Sequence, residues 1–215
     1  MKLWLYIVSA VAAYLVGSVN PAIILSRAIY RVDVRGFGSH NPGFTNFKRV
    51  FGNDHAWTVF LLDFLKSAIL CAIFGWLFRR GGGSYSLGAA FTALFVLLGH
   101  AYPVWYRFQG GKGAAVMGGA IWFIDWRVAL VGFGVLFIVM FTTRYMSLSV
   151  MCAAVSLPVA LAVFGWEHPA ALILLAACSL FVIVRHRENI GRLLRGTESK
   201  FSLKSIRAKD TDEGA

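Results

Sequence analysis

The chain has 215 residues, of which 58% are hydrophobic and only 14% are charged. Soluble globular domains carry roughly 45–50% apolar and about 25% charged residues, so this composition excludes an ordinary soluble domain and predicts an all-α integral membrane protein. The 21 Lys and Arg residues outnumber the 10 Asp and Glu residues and leave a net charge of +11. This excess either orients the chain across a membrane or attracts an anionic ligand.

Seven charge-poor runs follow one another along the chain and predict seven transmembrane helices. They cover residues 3–26, 67–78, 81–106, 113–124, 128–143, 147–165 and 169–184. A spanning helix needs about 20 residues, so the second run must begin near Asn53 and embed Asp63 and Lys66. The fourth run has only 12 residues. We therefore expect short or broken central spans, with six spans as the alternative count.

Basic residues are distributed unequally between the two sides of these spans. Sixteen of the 21 Lys and Arg residues follow odd-numbered runs, and four lie on the other side. Because loops rich in Lys and Arg stay in the cytoplasm, the sequence predicts an N-terminus outside and a cytoplasmic C-terminus. It also predicts one membrane domain over residues 1–198 and a polar, disordered cytoplasmic tail over residues 199–215.

Three polar clusters lie on the predicted cytoplasmic side, and the first covers residues 33–49. Glycines in this cluster let backbone N–H groups approach an anion closely. We expect Arg49 at the start of the second span, where a helix N-terminus also favours negative charge. The alternative is an ordinary loop with Asn-Pro-Gly turn chemistry. The hydrogen-bonding side chains of the cluster are Ser39, Asn41, Thr45 and Asn46.

The second cluster covers residues 100–113 and contains Lys112 between glycines. Gly110, Gly111 and Gly113 around a lysine are typical of a phosphate cradle. The pattern is not a nucleotide-binding P-loop, because Tyr106 stands where that motif needs a glycine and Gly113 stands where it needs Ser or Thr. The alternative is a flexible turn with a lysine that extends to the membrane surface.

The third cluster begins at the end of the seventh run. His186 and Asn189 are three residues apart and share a face if this segment is helical. A basic helix end that lies along anionic lipid is the alternative. Asp63 and Lys66, inside the second span, form either a structural ion pair or part of an active-site wall.

The chain has no G-x-S-x-G elbow, no H-E-x-x-H motif and no Cys/His cluster suited to zinc. The sequence therefore favours chemistry without a serine nucleophile, a metal or a cofactor.

Seven blocks of sequence carry a resemblance to a known family. They are GS at 17–18, DVR at 33–35, GSHNPGFTN at 38–46, LLDFLK at 61–66, GHAYPVWYRFQGGKG at 99–113, TRYMSLS at 143–149 and RHRENIGRLLRGTE at 185–198. In this order they resemble the PlsY family of bacterial membrane acyl-phosphate:glycerol-3-phosphate acyltransferases. His40, Phe44, Gln109 and Val116 depart from the residues that are usual in that family.

The resemblance implies a seven-span enzyme of the bacterial inner membrane with its active site facing the cytoplasm. It implies transfer of a fatty acyl group from acyl phosphate to the 1-hydroxyl of sn-glycerol 3-phosphate, giving lysophosphatidate and phosphate without an acyl-enzyme. The implied catalytic residues are His186, Asn189, Ser39, Lys112 and Arg49. The implied substrate-binding residues are Ser39, Asn41, Thr45, Asn46, Arg49, Lys66, His100, Gly111, Lys112, Gly113 and Ser147.

The implied partners are the two substrates, membrane lipids and the enzyme that produces acyl phosphate, with no nucleic acid; the oligomeric state is left open. Either His186 or a substrate phosphate oxygen takes the proton of the hydroxyl. The alternative function is membrane transport of an organic phosphate anion, which would also explain an embedded charge pair and cytoplasmic cations.

Overall fold

A computed structural model describes residues 3–165 and 168–201. Over these residues the chain folds into ten α-helices, with two short 3₁₀ turns and no strand, which confirms the all-α prediction. The helices are α1 (Leu3–Gly17), α2 (Pro21–Tyr30), α3 (Phe44–Phe51), α4 (Ala56–Arg80), α5 (Tyr85–Ala101), α6 (Ala114–Ile124), α7 (Trp126–Thr143), α8 (Met146–Phe164), α9 (Pro169–Arg185) and α10 (Arg187–Leu194).

Five helical segments of the described chain are long and apolar enough to cross a membrane. They are Leu3–Tyr30, Ala56–Arg80, Tyr85–Tyr106, Trp126–Thr143 and Met146–Phe164. The bent pair α9 and α10 makes a sixth if it counts as one span, and α6 is a shorter apolar helix of 11 residues. The chain is therefore a multi-pass membrane protein, while the count of seven crossings and the orientation stay predictions.

Glycines let the central helices approach one another closely. A Cβ on Gly99 of α5 would lie 2.2 Å from the Tyr14 carbonyl oxygen of α1, and one on Gly119 of α6 would lie 2.1 Å from the Phe64 carbonyl oxygen of α4. Small residues are the usual means of tight helix packing in membranes. Helix α5 packs against α1, α4, α6 and α9, so the loop that follows α5 lies among the ends of several helices.

The first run contains a break that its composition did not predict. Helix α1 ends at Gly17, and α2 begins at Pro21 after Asn20, whose side-chain oxygen accepts a hydrogen bond from the Ile23 N–H at 3.0 Å. Asparagine before a first-turn proline is a strong helix start. The break leaves the carbonyl groups of Gly17 and Val19 available to other donors.

The expected position of Arg49 at the start of the second span is wrong. Arg49 lies in the last turn of the separate short helix α3, and the spanning helix α4 begins only at Ala56. Gly52 ends α3 with a φ of +81°, a conformation that residues with a Cβ rarely adopt. Arg49 therefore lies at the C-terminus of α3 and not at the N-terminus of the spanning helix.

The third cluster is also divided between two helices. Helix α9 ends at Arg185, and α10 begins at Arg187 at an angle of 54° to it. His186 lies at the bend and is the N-cap of α10, where its carbonyl accepts the Ile190 N–H at 2.9 Å. His186 and Asn189 therefore lie three residues apart at the start of α10, and both side chains are buried.

Candidate active site

The Glu198 carboxylate gathers side chains from two helices after α10 has ended. One of its oxygens accepts hydrogen bonds from Ser147 Oγ of α8 at 2.6 Å and from Asn189 Nδ2 of α10 at 2.7 Å. The other accepts from Arg192 Nε at 2.6 Å. Asn189 and Arg192 are neighbours on α10 and Ser147 lies on α8, so Glu198 links the two helices.

Lys112 reaches the same group of residues from the loop before α6. Its ammonium donates to the Asn189 side-chain oxygen, and the Asn189 amide nitrogen donates to Glu198. The structure therefore connects Lys112, Asn189 and Ser147, three of the residues predicted for the site, through one carboxylate.

The glycine loop around Lys112 does not form the predicted cradle of free N–H groups. The N–H of Gly110 donates to the Ala101 carbonyl at 3.2 Å, and the N–H of Gly111 donates to the His100 carbonyl at 3.0 Å. Gly111 therefore shapes the loop by packing, since a Cβ there would lie 2.1 Å from His100 Nε2. The N–H groups of Lys112 and Gly113 donate to no backbone carbonyl in the described chain, and they lead into the N-terminus of α6, which favours anions.

Arg49 approaches the network from α3. Its guanidinium donates to Ser199 Oγ at 2.7 Å, and Ser199 follows Glu198 directly. It also donates at 3.4 Å to the side-chain oxygen of Asn46, which accepts the backbone N–H of Ser39 at 2.8 Å. Arg49, the Asn46 side chain and the Ser39 backbone thus join the network through Ser199.

Asn46 folds the first polar cluster and leaves little capacity for a ligand. Its amide nitrogen donates to the Phe37 carbonyl at 3.0 Å, while its oxygen accepts from Ser39 and Arg49. The half-buried side chains of Asn41 and Thr45, in contrast, form no hydrogen bond within residues 3–165 and 168–201.

His40 shows how the loop tolerates a departure from the usual family pattern. It takes a φ of +57°, a left-handed conformation that glycine adopts without strain. Its Nδ1 donates to the Arg35 carbonyl at 2.9 Å, which stabilises this left-handed conformation.

His186 is 5% exposed, and its Nδ1 lies 2.8 Å from the Val182 carbonyl oxygen. A carbonyl can only accept, so Nδ1 carries the proton and Nε2 has a free lone pair. Burial lowers the pKa of His186 to about 4, aided by the positive charge of Lys112. The imidazole is therefore neutral at pH 7.

The electrostatics of the network favour an anion. Burial and, second to it, the positive charge of Arg192 lower the pKa of Lys112 to about 8. Burial raises the pKa of Glu198, but hydrogen bonds from Ser147, Asn189 and Arg192 lower it more, so the net pKa lies below its usual value. The charges of Glu188, Glu198, Arg185 and Arg192 all act on Lys112. With Arg49 and Lys112 included, four cations face two carboxylates, and this positive excess suits a phosphate.

Lys66 and His100 lie in a separate buried cluster. The Lys66 ammonium is 2.7 Å from the Asp63 carboxylate and donates to the carbonyl groups of Gly17 at 3.1 Å and Val19 at 2.8 Å. His100 Nδ1 lies 3.2 Å from the Lys66 nitrogen and 3.3 Å from Asp63. This cluster touches the glycine loop through His100 and Gly111, but contacts none of Arg49, Asn189 or Ser147.

Residue-by-residue prediction missed Glu198, Arg192 and Arg185, all of which shape the site. Each lies in the block RHRENIGRLLRGTE, so the signal was present, but nothing in their spacing showed which side chains turn inward. The predicted tail also contacts the folded domain: Ser199 accepts a hydrogen bond from Arg49, and the Phe201 N–H donates to the Arg144 carbonyl at 2.7 Å. The rest of the predicted disordered tail lies outside the described residues.

A family model and a similar protein both carry the description glycerol-3-phosphate acyltransferase. The family model described as glycerol-3-phosphate acyltransferase matches residues 7–196. A glycerol-3-phosphate acyltransferase of Hyphomonas neptunium is 39% identical over 210 residues, which is 97% of each chain.

Two crystal structures of PlsY, an integral membrane glycerol 3-phosphate acyltransferase, match the fold. The glycerol 3-phosphate form has a TM-score of 0.84 at 36% identity over 92% of this chain and 96% of that chain. The lysophosphatidic acid form has a TM-score of 0.80 at 34% identity over 92% and 95%.

Proposed function

Because the chain belongs to the glycerol-3-phosphate acyltransferase family, we propose that it transfers a fatty acyl group from acyl phosphate to the 1-hydroxyl of sn-glycerol 3-phosphate. The products are lysophosphatidate and inorganic phosphate, and the step begins phospholipid synthesis in a bacterial inner membrane. The active site faces the cytoplasm, as the distribution of Lys and Arg predicts. The enzyme that produces acyl phosphate is the expected functional partner.

The observation that carries this proposal is the convergence of Arg49 and Lys112 on the Glu198 segment. Both cations rest on neutral oxygens, the Ser199 hydroxyl and the Asn189 amide, and a phosphate can replace such partners without leaving a carboxylate unpaired. Arg49 suits bidentate binding of a phosphate, and Lys112 supplies a point charge. The related PlsY structures, with glycerol 3-phosphate and with lysophosphatidic acid, support the same pair of ligands here.

The reaction needs no acyl-enzyme. The 1-hydroxyl oxygen attacks the acyl carbonyl carbon, a new ester bond forms, and the bond from that carbon to the phosphate oxygen breaks, so that phosphate leaves with the electron pair. Holding the two reactants together can contribute about 7–11 kcal/mol. Each well-placed donor on the leaving phosphate can add about 3–4 kcal/mol.

Two groups can accept the proton of the hydroxyl. The free Nε2 of His186 is one, with its pKa lowered to about 4 by burial. A phosphate oxygen of the substrate is the other, with a second pKa near 6 by analogy with phosphoserine. A base works best when its pKa lies near the working pH, which favours the phosphate oxygen, while His186 remains the alternative base.

A donor comparison with the purified protein in detergent tests the proposal. Acyl phosphate, acyl-CoA and acyl carrier protein thioesters are supplied in turn with glycerol 3-phosphate, and lysophosphatidate and released phosphate are measured. We expect product from acyl phosphate with one phosphate released per ester formed. If product forms only from the thioesters, acyl phosphate is not the acyl donor and that part of the proposal is wrong. Substrate counterflow in vesicles without ester formation would show a transporter instead.

A further inference from the structure

Arg185, the last residue of α9, binds the loop that carries Lys112. Its Nη2 donates to the Gly110 carbonyl at 3.2 Å and to the Gly111 carbonyl at 3.1 Å. These two peptide groups immediately precede Lys112, and Arg185 immediately precedes His186. One side chain thus joins the two segments that supply Lys112 and His186 to the site.

The loop needs such a contact because it has few other means of keeping one conformation. Glycine has the greatest backbone freedom of any residue, and Gly110, Gly111 and Gly113 surround Lys112. The N–H groups of Gly110 and Gly111 already bind the end of α5. Their carbonyl groups accept hydrogen bonds from Arg185, which attaches the loop to the end of α9.

Arg185 is itself held in place. Its guanidinium carbon lies 5.1 Å from the centre of the Tyr102 ring, a distance at which a cation is attracted to the ring face. The planar guanidinium is suited to stacking and to fixed hydrogen bonds at the same time.

From this geometry we propose that Arg185 is a positioning residue. It fixes the conformation of residues 110–113 so that the Lys112 ammonium points toward the Asn189 side-chain oxygen. A bound phosphate would take the place of that oxygen as the partner of Lys112. This inference rests on the proposed function of the site, but it concerns a residue that touches the loop and not the substrate.

A direct role for Arg185 in binding phosphate makes a different prediction. Its Nε is buried and has no hydrogen-bond partner in the described chain, so a second donor exists for a ligand. If Arg185 binds phosphate itself, the fold-losses in kcat/KM from removing Arg185 and from removing Lys112 should multiply in the double variant. If it acts through Lys112, its loss should cost nothing further once the Lys112 side chain is gone.

The test uses Arg185→Gln, Arg185→Lys and the matched control Arg187→Gln, which removes the same charge from the exposed neighbour. The purified variants are assayed for KM and kcat with both substrates, and their melting temperatures are measured. We expect Arg185→Gln to lose about 10- to 100-fold in kcat/KM at an unchanged melting temperature. Arg185→Lys should regain part of the loss, and Arg187→Gln should match wild type.

The cycle with Lys112→Gln decides the mode of action. We expect the double variant Lys112→Gln, Arg185→Gln to be no less active than Lys112→Gln alone. Multiplied losses, or equal activity of Arg185→Gln and Arg187→Gln, would overturn the proposal. If Arg185→Gln does not fold, Arg185→Lys against Arg187→Lys gives the same comparison. The double-mutant cycle is measured with whichever acyl donor the wild type accepts. A wrong assignment of acyl phosphate as the donor would therefore not affect the test of Arg185.

Discussion

The protein contains two clusters of charged side chains, one buried and one partly exposed, that use their cations differently. Inside the membrane helices, Lys66 directs its ammonium toward the Asp63 carboxylate and two backbone carbonyls. At the site, Arg49 rests on a serine hydroxyl and Lys112 on an amide oxygen. An ammonium has three protons, so Lys66 is fully used by the protein, whereas Arg49 and Lys112 can exchange neutral partners for a phosphate.

This difference distinguishes charged residues that hold the helices together from charged residues that can bind a ligand. Sequence and resemblance placed Lys66 and His100 among the substrate-binding residues together with Arg49 and Lys112. The structure places the first pair beside Asp63, at the break between α1 and α2, where they join α1, α4 and α5. We therefore predict that the intramembrane cluster governs stability and that the cluster at Glu198 governs catalysis.

The largest expected effect is on stability and comes from Asp63→Asn. Removing one member of a buried ion pair leaves the other charge uncompensated, so we expect a loss of about 3–5 kcal/mol in the free energy of unfolding. Denaturant unfolding in detergent measures this, with Asp54→Asn at an exposed position as the control. If the variant unfolds like wild type but has lost activity, Asp63 belongs to the active site. The assignment of the intramembrane cluster to stability would then be wrong.

The next largest effect is on catalysis and comes from Lys112→Gln and Arg49→Gln. Each removes a donor to phosphate, so we expect kcat/KM to fall about 10²- to 10³-fold, equivalent to about 2.7–4 kcal/mol. The melting temperature should change little because the partners left behind are neutral. Arg107→Gln, at an exposed loop position, is the matched control and should stay near wild type. Destabilisation as large as that of Asp63→Asn would contradict the comparison.

The smallest effect is a pH dependence that belongs to Lys112. Its pKa is lowered to about 8, and only the protonated form attracts phosphate, so kcat/KM should fall above pH 8, by about tenfold at pH 9. Bound phosphate favours the charged ammonium, so the fall in kcat should occur at higher pH than the fall in kcat/KM, which reports the free enzyme. Substrate phosphate is already dianionic there.

The variant Lys112→Arg identifies the group responsible for this fall. Arginine stays protonated throughout the range, so the decline above pH 8 should disappear even if the overall rate is lower. If the decline persists at the same pH in Lys112→Arg, another group is responsible for it, and the prediction that Lys112 titrates near pH 8 is wrong.

The helices and the polar clusters were predictable because they depend on local patterns. Continuous apolar runs located α4 to α9, and a 12-residue run correctly predicted the short α6. The break before α2 depends on Asn20 and Pro21 inside an apolar run, and the separation of α3 from α4 depends on the positive φ of Gly52. Composition does not distinguish such residues from ordinary members of a span.

The partners of the site residues were less predictable because they depend on tertiary contacts. The glycines around Lys112 indicate close backbone approach, but not that the end of α5 takes the N–H groups of Gly110 and Gly111. Glu198 stands at the end of a recognisable block, yet its role depends on the bend at His186 and on the turn that follows α10. Only the folded chain shows that this carboxylate meets Ser147.

The position of Glu198 near the end of the chain sets an order for biosynthesis. The loop with Ser39 and Arg49 is made early, whereas Glu198 and Ser199 leave the ribosome after every helix from α1 to α10 has been synthesised. A nascent chain can therefore insert its first spans before the contacts of Glu198 and Ser199 can form. Arg49 meets its Ser199 partner only after α10 has been made.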